Sequence, residues 1–171
     1  SLNEFWSSNI DDYAKRVESD LKKNNFNPIL IHKNEDIIFL KSLAYINAGM
    51  ELNAQFETKK IKNPYILCTL NESFLGLLLA SKLFNYDWKF LGIQIESNIN
   101  LKKKLKIIET KSKQLFNIDI IFSSKDFEEK YDISNDYGVL SEKNKQAILL
   151  ASEKENILLN PLNDCKILTY V

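Results

Sequence analysis

Asn63-Pro-Tyr-Ile-Leu-Cys-Thr-Leu70-Asn-Glu-Ser73-Phe-Leu-Gly-Leu-Leu-Leu-Ala-Ser-Lys-Leu-Phe84, with Trp88-Lys-Phe-Leu-Gly-Ile-Gln-Ile-Glu96 close behind it, is the stretch that decides the fold. It reads as strand, helix, strand. Residues 65–70 are a short apolar run set off by the Asn63-Pro64 break, as a buried strand is. Asn71 or Ser73 can cap the helix Phe74–Phe84, which is apolar nearly all round and so is expected deep in the core. Residues 88–96 return as a second apolar strand. Two strands joined by a helix need a crossover, and that makes them parallel.

The same alternation extends in both directions. Upstream, residues 36–57 read as a helix and Pro28–His32 as a short buried strand. Residues 3–24 carry Phe5, Trp6, Ile10, Tyr13, Ala14, Val17 and Leu21 at helical spacing, giving an amphipathic helix. Downstream come a Lys-rich helix over 99–116, a strand over 118–122, a helix over 142–155 capped by Ser141, and a last helical segment beyond Asn160-Pro161. The expectation is an α/β fold: a three-layer α/β/α domain, residues 1–171, with a mainly parallel sheet of about four or five strands.

Composition excludes several functions. Lys plus Arg and Asp plus Glu both number 23, so no net field attracts nucleic acid or an anionic membrane. Arg16 is the sole arginine, which leaves little bidentate recognition of phosphates or base edges. One histidine, His32, and two cysteines, Cys68 and Cys165, cannot build a zinc cluster or a disulfide framework, so no metal site is expected. No apolar run approaches the length of a membrane span, and a cytoplasmic location is the expectation.

Two further stretches carry a family likeness. One is Ala44-Tyr-Ile-Asn-Ala-Gly-Met-Glu-Leu-Asn-Ala-Gln55. The other is Tyr137-Gly-Val139, then Gln146-Ala-Ile-Leu-Leu-Ala151, Glu155-Asn-Ile-Leu-Leu-Asn-Pro161 and Cys165-Lys166. Together they resemble the 1-aminocyclopropane-1-carboxylate deaminase and D-cysteine desulfhydrase family of fold-type-II pyridoxal-phosphate enzymes, in the tryptophan synthase beta superfamily. The likeness is to the later half of such an enzyme. It implies the large domain of that fold, pyridoxal phosphate as cofactor, small amino acids as ligands, and a chain that continues upstream.

The departures are specific. The resemblance puts the Schiff-base lysine in a Gly-Asn-Lys segment earlier than Ser1. It also implies a glycine-rich loop where this chain has Glu35-Asp36-Ile37-Ile38. A Gly-Ser-x-Gly-Thr phosphate loop would open the helix after the second strand. Here that position reads Thr69-Leu-Asn71-Glu-Ser73, leaving Thr69, Asn71 and Ser73 as a vestigial phosphate-binding set. Glu72 would stand beside the phosphate, and like charges about 4–6 Å apart disfavour binding by on the order of a few kcal/mol. The site reads as degenerate: the chain alone is expected neither to bind pyridoxal phosphate nor to catalyse.

The resemblance makes Tyr137 the candidate catalytic residue, set against a tyrosine packed at a loop corner. Lys166 and Glu155 match family positions; Lys166 is expected at the surface, and Glu155 to cap or pair locally. His32 and Cys68 read as structural. Three functions stay open: part of a longer deaminase-like or desulfhydrase-like enzyme, a non-catalytic binding or interaction module, or a sheet edge adapted to another small ligand. The partners expected are a missing N-terminal segment or a second copy.

Overall fold

A computed structural model of the chain describes residues 2–31, 35–95, 99–131 and 139–170, with side chains at residue 10 and from residue 12 onward. The chain divides into two compact units, residues 1–37 and 38–171. The first contains helix α1 (Leu2–Lys23). The second holds nearly all of α2 (Glu35–Thr58), then β1 (Tyr65–Thr69), α3 (Glu72–Phe84), β2 (Lys89–Gln94), α4 (Leu101–Phe116), β3 (Glu128–Tyr131), α5 (Glu142–Glu155) and α6 (Asp164–Leu168).

The sheet is parallel, in the order β1-β2-β3, with Cys68 opposite Gly92 and Gly92 opposite Glu129. The strand–helix–strand reading holds over residues 65–94. In the central strand the successive residues Phe90, Leu91 and Ile93 are all buried, so both faces of the sheet are covered.

α3 is the buried helix that its composition demands: Phe74, Leu75, Leu78, Leu79 and Ala80 are at most 1% exposed. Two glycines set how closely its neighbours approach. A Cβ at Gly76 would lie 2.2 Å from the Ser42 carbonyl oxygen of α2, and one at Gly92 would lie 2.0 Å from Leu70 Cδ2. Edge-on aromatic contacts fill the remaining space, with Phe74 ring centroids 6.0 Å from Phe90 and 5.5 Å from Phe127.

Five helices close alike. Beyond each of α1 to α5 an N–H reaches five or six residues back, as from Tyr86 to the Ser81 carbonyl, while the preceding residue turns left-handed. That residue is Asn25, Asn85, Asn117 or Asn156 in four of them, and Lys60 after α2. Asparagine tolerates this conformation better than other non-glycine residues.

Two expected strands are corrected. Residues 28–31 carry no strand, with Ile29 86% and Ile31 70% exposed. Residues 118–122 are irregular, and the partner of β2 is instead the charged run Glu128-Glu-Lys-Tyr131. Ile120 and Phe122 pack on the core from that irregular segment while Ile121 faces out. Three strands, rather than four or five, form the sheet among the described residues.

Candidate functional site

In parallel α/β sheets ligands gather at the carboxyl ends of the strands. Here that edge holds Thr69 at the end of β1, with Asn71, Glu72 and Ser73 opening α3 directly after it. The structure thus brings Thr69, Asn71 and Ser73 together. It ties them to one another. Asn71 Oδ1 accepts from Ser73 N at 3.0 Å, from Phe74 N at 3.4 Å and from the Ser73 hydroxyl, while its amide nitrogen donates to Thr69 Oγ1 at 2.8 Å.

A helix N-terminus attracts anions because its first N–H groups lack partners within the helix. In α3 two of those groups are engaged: Ser73 and Phe74 donate to the Asn71 side chain, and from Leu75, which donates to the Asn71 carbonyl at 3.2 Å, the helix's own ladder takes over. The Glu72 carboxylate occupies the favourable end of the helix dipole.

Lys104, in the first turn of α4, places its Nζ 3.0 Å from Glu72 Oε1, with both side chains largely covered. Burial acts to raise the Glu72 carboxyl. The Lys104 hydrogen bond and charge, the backbone contact and the Lys41 charge outweigh that and hold it below its ordinary value. The edge is an internally neutralised cluster.

Beside it, at the ends of β2 and β3, lies a shallow depression of about 400 Å3 lined by Gln94, Ile99, Asn100, Leu101, Lys102, Glu129 and Tyr131. Asn100 caps α4 above it, accepting from Lys103 N at 2.9 Å. Nothing in the residue pattern hints at this depression, because β3 was expected elsewhere. Nor does it single out Lys104, whose only signal is the lysine excess at the start of α4.

Tyr137 and His32 lie outside the described residues. Glu155 ends α5 and is exposed. Lys166, expected at the surface, is instead 2% exposed, because the short α6 packs on β1 and α5. Cys68, read as a buried small hydrophobe, is half-buried and packs against the core. Among the described residues no cluster of His, Cys, Asp and Glu could hold a metal, and no helix is long and apolar enough to cross a membrane.

No protein-family model and no curated protein matches the sequence. The structure is similar to a solved one described as an ACC deaminase homologue, with a TM-score of 0.74 and 20% sequence identity. The likeness covers 95% of this chain and 49% of that chain, so this chain spans about half the length of the protein it matches. The class these features define is an α/β domain with a parallel sheet and the fold of half an ACC deaminase homologue.

The resemblance implies pyridoxal phosphate with its dianion on the N-terminus of α3. The residues there do not fit that group. The Asn71 side chain takes the Ser73 and Phe74 N–H groups, and the Glu72 carboxylate stands where the phosphate charge would fall.

Proposed function

We propose that this chain is a non-catalytic binding or interaction module derived from the deaminase-like fold, and that it does not itself hold pyridoxal phosphate. One observation carries the reading: the Asn71 side chain takes the Ser73 and Phe74 N–H groups, and Glu72, paired with Lys104, puts a carboxylate at the helix end where the cofactor phosphate would sit. Any pyridoxal-phosphate chemistry in a longer protein would have to take its phosphate grip from elsewhere. The test is titration of the purified chain with pyridoxal phosphate, followed by visible absorption and by borohydride reduction with peptide mapping. Scattered, non-saturating modification of surface lysines is expected. Saturable uptake with one reduced lysine would overturn the proposal.

The depression at β2 and β3 favours a second reading, a small-ligand site at the sheet edge. Lys102 and Glu129 on its rim present opposite charges, which suit a small zwitterion. Amide chemical shifts during titration with amino acids would test it. Shifts confined to residues 94–102 and 128–131 support it, and none at millimolar ligand removes it.

A further inference from the structure

We draw no further inference here: the strongest candidate, the depression at the carboxyl ends of β2 and β3 with Lys102 and Glu129 on its rim, belongs to the site already described and points to no ligand beyond the zwitterion proposed for it.

Discussion

Glu72 and Lys104 stand 32 residues apart in sequence and 3.0 Å apart in space, joining the start of α3 to the first turn of α4. The pair gives the sheet edge its own anion and its own cation. Its consequences can be measured separately.

The first is a pH-dependent stability. The Glu72 carboxyl is held below its ordinary value of 4.5 when folded, so ionisation stabilises the native state at neutral pH. That contribution is lost as the pH falls through and below the carboxylate range. Glu72→Gln should unfold at lower urea than the wild type at neutral pH, with the gap closing near about pH 3. Asp126, depressed despite burial by Lys82 at 2.6 Å and by Ser123, shares the same window and persists in the variant. An unchanged gap at both pH values would place the effect of Glu72 in packing rather than charge.

Opening the α3 terminus to an anion should need two changes. Glu72→Gly removes the carboxylate but leaves the Asn71 side chain on the Ser73 and Phe74 N–H groups. Asn71→Gly with Glu72→Gly frees both and leaves Lys104 nearby. Calorimetry with inorganic phosphate should detect millimolar binding, about 4 kcal/mol, in the double variant and none in the single one. Equal binding by both would show that the Asn71 cap is no barrier. Loss of the cap should also cost about 1 kcal/mol of stability.

Gly76 and Gly49 should differ in their tolerance of alanine. The added methyl at Gly76 meets backbone, the Ser42 carbonyl at 2.2 Å, and α2 must shift bodily to admit it. At Gly49 the nearest atom is Ala80 Cβ at 2.7 Å, a smaller intrusion. Gly76→Ala should lose about 3 kcal/mol in denaturant melts and Gly49→Ala about 1, the scale of overpacking costs. A reversed order would mean that the α2–α3 contact is looser than these distances.

Both thiols should be inert while the chain is folded. Burial pushes Cys68 up to about 11 and raises Cys165 as well, and Cys165 Sγ donates to the Pro161 carbonyl at 3.0 Å. Neither should react with an aromatic disulfide reagent at about pH 8, and both should react in urea. Rapid labelling of Cys68 in the folded chain would show that β1 opens at its edge.

Legibility in the sequence followed the physics of each segment. Residues 65–96 announced themselves because their apolar runs are continuous, bounded by Pro64 and Asn71, and buried on both sides. Ser141 was readable as a cap because capping is local, and its hydroxyl accepts from Asn144 N at 3.1 Å. β3 was not readable. Glu128-Glu-Lys-Tyr131 is an exposed edge strand, held by main-chain pairing with β2, and main-chain pairing leaves no mark on side-chain composition. The apolar run at 118–122 looked more like a strand, yet only Ile120 and Phe122 of it pack on the core. At the site, Thr69, Asn71 and Ser73 were found by resemblance. Lys104 was not, since a contact across two helices has no fixed spacing.

The left-handed asparagines that finish four helices carry a liability of another kind, chemical ageing. Hydrolysis of the side-chain amide at Asn85, Asn117 or Asn156 would leave an aspartate among the unpaired carbonyls of a helix end, where the dipole disfavours negative charge. The bulky residues that follow, Tyr86, Ile118 and Ile157, crowd the backbone nitrogen through which that hydrolysis starts, and their N–H groups are held by the helix they close. The turns that end these helices thus also guard them, and wear on the molecule in storage should show first wherever one of those closures frays.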